Sequence, residues 1–217
     1  MKAIIFDLDG TLMDTLEDLW LSTNHALKAC GMPLRSEDEV RQFVGNGIGQ
    51  LIRRAVPQGT SDAEVEHCLD IFRRHYVVHC QEHTRLYPGI DDMLKELKQQ
   101  GVAMAIVSNK LQKGVSELAA HWFSHTISVA IGERDGIRRK PAPDMVDLAI
   151  AELGVQREDC IYVGDSDVDL ATAQNAGIPC VSVLWGFRDR DFLLAHGATT
   201  FAEHPREIPD MIKQITL

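Results

Sequence analysis

Five short stretches of the chain are apolar without alternation: Ala3 to Phe6, Val102 to Val107, Ile127 to Ile131, Ile161 to Val163 and Cys180 to Leu184. A strand with one wet face alternates apolar and polar residues, whereas an unbroken Ile/Val-rich run marks a parallel strand covered on both faces. Helical spacing separates most of these runs. Met93, Leu94 and Leu97 fall on one face of Asp91 to Gln100, which stops at Gly101, and Asp144 to Leu153 stops the same way at Gly154. Strand and helix in alternation predict an α/β fold built on a doubly wound parallel sheet.

From Thr15 to His83 the alternation fails. Helical patterns cover Leu16 to Cys30, Glu37 to Phe43, Ile48 to Val56 and Asp62 to His83, punctuated by Pro33, Gly45-Asn46-Gly47 and Pro57-Gln58-Gly59. The strand pattern resumes after Tyr87-Pro88-Gly89. The expected organisation is an α/β core of residues 1–14 and 84–217 interrupted by a helical cap of residues 15–83, an insertion of about seventy residues. An insertion after the first strand belongs over the carboxyl ends of the strands, where open α/β sheets bind ligands.

Composition narrows the function. The 217 residues are 45% hydrophobic and 25% charged, with 22 Lys+Arg against 32 Asp+Glu and a formal net charge of -10. An acidic chain without a basic block argues against nucleic-acid binding and against a membrane surface. Its longest apolar runs are too short to span a bilayer. Five widely spaced cysteines without Cys-x-x-Cys read as free thiols in a reducing compartment, and the N-terminus reaches Asp7 too soon for a signal peptide, so the expected location is cytoplasmic.

Two acidic clusters follow buried strands. The first run opens into Asp7-Leu8-Asp9-Gly10-Thr11, where residues two apart point the same way. Neighbouring carboxylates repel unless a cation sits with them, and Mg2+ is the natural hard cation for such a pair. The second cluster, Gly164-Asp165-Ser166-Asp167-Val168-Asp169, also suits the cap of a helix. Both readings hold for different members: Asp165 is the better metal ligand and Asp167 the better helix-start residue. Ser108-Asn109 follows the Val102 strand, and Lys140 precedes Pro141, which restricts its direction. Strand ends at these intervals gather the four segments at one edge of the sheet.

The order Asp-x-Asp-x-Thr, Ser, Lys-Pro, Gly-Asp-x-x-x-Asp, from residue 7 to residue 169, resembles the haloacid dehalogenase superfamily, whose core is a modified Rossmann fold. The helical insertion, Phe43-Val44-Gly45-Asn46-Gly47, Leu86-Tyr87-Pro88-Gly89 and Ser108-Asn109-Lys110 are similar to its phosphoglycolate-phosphatase-like branch. The resemblance implies a Mg2+-dependent phosphatase acting on a small phosphorylated metabolite, with phosphoglycolate first among the candidates. It implies Asp7 as the nucleophile that becomes an aspartyl phosphate and Asp9 as the general acid/base. Ser108, Asn109 and Lys140 then bind the transferring phosphoryl group. Asp7, Asp165 and the backbone carbonyl of Asp9 hold the metal, with Thr11 and Asp169 in support. An acid at position 9 favours phosphoryl transfer over dehalogenation.

An inorganic pyrophosphatase, another sugar- or nucleotide-phosphate phosphatase and a sugar phosphomutase share these motifs; the expected assembly is a monomer or a homodimer. A phospho-acceptor signalling module also clusters Asp, Ser and Lys on a doubly wound sheet, but has no use for a seventy-residue cap. The Gly45-to-Gly49 stretch follows a helical pattern and reads as a turn opening a helix, not as a dinucleotide loop. His75, His79 and His83 share one helical face, as do His121 and His125, and read as solvated or partner-facing sides. Arg53 and Arg54 are the cap's candidates for gripping a substrate carboxylate.

Overall fold

The structure, a computed structural model, describes residues 2–214 of the chain. It divides into two compact units, Met1–Leu12 with Leu86–Leu217, and Met13–Arg85. In chain order, β1 (Ala3–Phe6) is followed by β2 (Met13–Asp14) and helices α1 (Leu16–Ala29), α2 (Glu37–Phe43), α3 (Gly47–Ala55) and α4 (Asp62–His79). Then come β3 (Arg85–Leu86), α5 (Ile90–Gln99), β4 (Ala103–Leu111), α6 (Gln112–Leu118), β5 (Val129–Glu133) and α7 (Asp144–Leu153). The chain finishes with β6 (Cys160–Gly164), α8 (Asp167–Ala176), β7 (Cys180–Val183), α9 (Arg190–Ala195), β8 (Phe201–Ala202) and α10 (Ile208–Gln214).

In the first unit, six strands form one sheet in the order β5-β4-β1-β6-β7-β8, and every pairing is parallel. This is the doubly wound sheet that the unalternating runs predict. All four residues of β1 are fully buried although successive side chains point to opposite faces, so both faces are covered. Helix α7 packs on β4 and β5, and α8 on β6 and β7. Their apolar sides join Ile5, Val107, Ile131 and Tyr162 in one core cluster with Met145, Ala149 and Ala173.

Two differences from the sequence pattern shape the site. The strand expected to stop at Val107 continues to Leu111, with a register shift against β5 between those residues. Helices α6, α9 and α10, of six or seven residues, and the two-residue β8 lie where the pattern predicted nothing.

The Met13–Arg85 unit is built around α1 and α4, which pack along each other. Leu19, Ala26 and Leu27 of α1 and Val65, Leu69 and Phe72 of α4 supply its buried side chains. Ser36 and Ser61 each close a capping box with the glutamate three residues on, which sets the starts of α2 and α4. Helix α4 stops at His79 and not at His83. The buried Asp18 carboxylate accepts from the N–H groups of His83 (3.0 Å) and Thr84 (2.9 Å) and from Thr84 Oγ1 (2.8 Å), which draws that segment out of the helix.

Candidate active site

The site grows out of strand register. Phe6 pairs with Ile106 on one side and with Val163 on the other. The residues just beyond this register therefore come side by side: Asp7, Ser108 and Asp165. Asp7 and Asp165 directly follow β1 and β6, and Ser108 lies within β4, where its register against β5 shifts. Between β1 and β6 the winding of the sheet reverses direction, which is where open α/β sheets carry their ligands.

Asp7 is buried, and its Oδ1 lies 2.8 Å from Lys140 Nζ. The same ammonium reaches Asp169 Oδ1 at 2.7 Å and donates to Tyr162 Oη at 3.0 Å. Lys140 is held from behind by Asn109, whose Oδ1 accepts from Lys140 N (2.9 Å) and whose Nδ2 donates to Lys140 O (3.1 Å). Asn109 is thus a clamp on the Lys140 loop.

Asp165 is the last residue before the Ser166 cap of α8. Its Oδ1 accepts from Thr11 Oγ1 (3.0 Å) and its Oδ2 from Phe187 N–H (2.7 Å). Gly10, at φ +89°, lies so close that a Cβ there would fall 2.5–2.8 Å from the Asp165 carboxyl group. Ser166 caps α8 in a box with Asp169, so the capping reading holds for Ser166 and Asp169 while Asp165 stays in the site. Asp169 accepts five hydrogen bonds. Lys140 and Tyr162 reach Oδ1, and Ser166 Oγ (2.6 Å), Ser166 N (3.1 Å) and Asp165 N (3.2 Å) reach Oδ2.

These contacts fix the electrostatics. Burial pushes the Asp7 carboxyl well above the usual carboxylate range, and neighbouring Asp169 adds to the effect against the opposing pull of Lys140. Burial, with Asp169 beside it, pushes Asp165 up to about 7. Burial works to lower Lys140, but Asp169 and Asp7 outweigh it and hold the ammonium charged. Ligand oxygens of Asp7, Asp165 and Asp169 lie within 4.8 Å of one another, and they are the one such group of three or more among the described residues. Three buried carboxylates face a single buried ammonium. The residues fit a hard divalent cation, because only a cation lets Asp7 and Asp165 ionise together.

Asp9 is partly exposed; Ser108 Oγ donates to its Oδ2 at 3.5 Å and Lys110 Nζ lies 3.3 Å from its Oδ1. The sequence reading gave no role to Lys110, Tyr162 or the loop after β7. In that loop Trp185 Nε1 donates to Thr11 O (2.8 Å) and Gly186 packs on Asp165 and Gly10. Lys110 entered the sequence reading only as the last residue of Ser108-Asn109-Lys110, without a role of its own.

In the other unit, Arg53 pairs with Asp62 (2.7 Å) and Arg54 Nη1 donates to Phe43 O (2.8 Å). The rings of His25, His75 and His79 stack, with centroids 4.0 and 4.2 Å apart, and His83 lies 3.3 Å from Glu17. The Gly45-to-Gly47 turn opens α3.

Comparison with known proteins agrees with this geometry. A family described as haloacid dehalogenase-like hydrolase matches residues 4–183. A phosphoglycolate phosphatase of Pseudomonas fluorescens is 32% identical over 99% of this chain and 78% of its own length. The solved structure of a protein assigned as a phosphoglycolate phosphatase from Lactobacillus delbrueckii matches with TM-score 0.93 at 36% identity, covering 97% of this chain and 98% of that one. A second, so assigned from Haemophilus somnus, matches with TM-score 0.88 at 30% identity, covering 97% of each chain. The chain belongs to the haloacid dehalogenase-like hydrolases, in their phosphoglycolate-phosphatase-like branch. By class it is a phosphoric monoester hydrolase. No helix among the described residues is long and apolar enough to cross a membrane.

Proposed function

We propose that the chain hydrolyses small phosphate monoesters with Mg2+ through a phosphoryl group carried on Asp7, and that phosphoglycolate is its first candidate substrate. The observation that carries this reading is the buried excess of negative charge around Asp7, with one ammonium, Lys140, against three carboxylates. A nucleophilic carboxylate must meet a phosphate dianion, and the charge repulsion has to be offset by cations fixed beside it. Asp7, Asp165 and the backbone carbonyl of Asp9 would hold Mg2+, which supplies positive charge for the carboxylates and the phosphoryl oxygens. Both oxygens of Asp169 are engaged, so it serves by fixing Lys140 and the start of α8.

The chain's own residues divide the rest. Ser108 Oγ and Lys140 Nζ bind phosphoryl oxygens. An oxygen of Asp7 bonds to phosphorus as the ester oxygen leaves, and Asp9 gives that oxygen a proton. Asp9 then takes a proton from water as the water oxygen bonds to phosphorus and Asp7 is released. None of these groups reads the leaving group. That choice is assigned to the helical insertion, with Arg53 and Arg54 as candidates for a carboxylate.

The test is turnover on a panel of phosphoglycolate, sugar and nucleotide phosphates and pyrophosphate, with Mg2+ and with excess chelator. Turnover on phosphoglycolate that stops on chelation is expected, together with an acid-stable phosphoenzyme that Asp7→Asn does not form. Full activity in chelator refutes the metal, and near wild-type turnover by Asp7→Asn refutes the nucleophile. Preference for pyrophosphate, or stoichiometric phosphorylation without turnover, replaces the substrate assignment.

A further inference from the structure

We infer that Lys110 is a positioning residue for the reaction, an ammonium that holds Asp9 by one oxygen and leaves the other to carry the proton. The inference rests on the proposed acid/base role of Asp9.

The two aspartates after β1 stand two residues apart, and each has its own lysine. Asp7 pairs with Lys140 and Asp9 with Lys110. Lys110 Nζ lies 3.3 Å from Asp9 Oδ1, and the lysine side chain is only 7% exposed. A lysine held on the surface gains little from such a pair, but one withdrawn from water is held in a single place by it. Three features of the chain place it there. First, β4 runs past its apolar segment and shifts register against β5 between Val107 and Leu111, where Ser108 and Lys110 lie. Second, residues two apart in extended chain point the same way, so both turn toward Asp9: Ser108 Oγ to Oδ2 at 3.5 Å, Lys110 Nζ to Oδ1. Ser108 Oγ also accepts from Lys110 N (3.1 Å), which ties the two residues together. Third, the lysine stem lies along α6 at Gly114, where an added Cβ would stand 3.4–3.7 Å from its Cε, Cδ and Cγ.

The chemistry depends on which oxygen is taken. Asp9 has two carboxyl oxygens and moves one proton at a time. With Oδ1 facing Lys110, Oδ2 is the oxygen directed toward Ser108, a residue assigned to bind the phosphoryl group. When Asp9 gives its proton to the leaving oxygen, it gains negative charge, and the ammonium faces that charge. Without Lys110, the Asp9 carboxyl loses its fixed direction. The loss should be greatest where protonation of the leaving group matters most.

The test uses Lys110→Met, which keeps the stem, and Lys110→Arg, which keeps the charge, each checked by thermal melting. The readout is the rate of phosphoenzyme formation with Mg2+, on phosphoglycolate and glycerol phosphate against p-nitrophenyl phosphate, whose leaving group needs little protonation. Lys110→Met should slow the two alkyl esters about 10–100-fold, the scale of one lost charge-assisted hydrogen bond, and change KM and the aryl ester by less than about threefold. Lys110→Arg should restore most of the alkyl rate. In an Asp9→Asn background, Lys110→Met should add less than about twofold, because the group it acts through is gone. If Lys110→Met does not fold, Lys110→Gln is compared on the same substrates. Equal losses on alkyl and aryl esters, full additivity with Asp9→Asn, or unchanged alkyl rates overturn the inference while wild-type turnover stands. A wild-type protein that hydrolyses none of the esters overturns the phosphatase reading and this inference with it.

Discussion

Asp169→Asn is the most informative single change, because it alters no shape and removes one charge at the centre of the network. The Asp169 side chain is fully buried, and all five of its partners are donors. An amide has one oxygen. If it turns that oxygen toward the Ser166 and Asp165 N–H groups, its NH2 faces the Lys140 ammonium; if it turns the other way, NH2 meets two backbone N–H groups. Either pose sets donor against donor. Removing one member of a buried ion pair costs about 3–5 kcal/mol. Lys140 keeps Asp7 at 2.8 Å, and one of three mutually repelling carboxylates is gone, so the lower end applies, about 3 kcal/mol. At about 2–4 °C per kcal/mol for a chain of this size, the melting temperature should fall by about 6–12 °C. Turnover should fall about 10–100-fold as Lys140 loses its second anchor. Tyr162→Phe is the control: it removes one neutral hydroxyl from the same oxygen and should cost only about 1 kcal/mol. Calorimetry and kcat with Mg2+ measure both effects. An Asp169→Asn protein that melts and turns over like wild type would show that Lys140 is held by Asp7 and Asn109 alone.

Gly186→Ala should cripple metal-dependent turnover, because the new Cβ would overlap the Asp165 side chain and the Gly10 carbonyl; unchanged Mg2+ dependence would contradict this packing. Arg53→Ala or Arg54→Ala should lower kcat/KM on phosphoglycolate about 10–100-fold more than on p-nitrophenyl phosphate if either grips a carboxylate. Equal losses on both esters, for both variants, reject the arginine handle. Their partners Asp62 and Phe43 O are exposed contacts, so both variants should fold. Acid should loosen the helical unit. Burial, then His25 and His79, hold His75 below its ordinary 6.5, so under that pH the unfolded chain takes up a proton that folded His75 resists. Stability supplied above pH 6.5 is then lost as pH falls through the lowered value, and His75→Gln should flatten the melting-temperature profile between neutral pH and about pH 5. An unchanged slope would assign the acid sensitivity to other groups.

The parallel sheet was legible in the chain because burial on both faces demands unbroken apolar runs, and β1, β6 and β7 lie within a residue or so of them. The residues proposed for the chemistry were brought together for a related reason: Asp7, Ser108 and Asp165 each come just after such a run, and parallel strands in register carry the residues that follow their apolar segments to one edge. The longer helices were also readable, and so was the seven-residue α2, whereas α6, α9 and α10, of two turns or fewer, were not. What the sequence could not contain is which atom faces which. The bond from Thr11 to Asp165 joins residues 154 apart, and that from Phe187 to Asp165 comes from a loop with no apolar pattern at all. Whether Asp169 would ligate or cap depended on where α8 began, and the Ser166 capping box settled that only once β6 had placed both residues. That the Lys110 ammonium meets Asp9 shows only once β4 has shifted its register against β5. Periodicity is a local property, decided by burial of neighbours along the chain. Donor–acceptor pairing across the site is decided by strand register and loop packing, which exist only when the whole core has assembled.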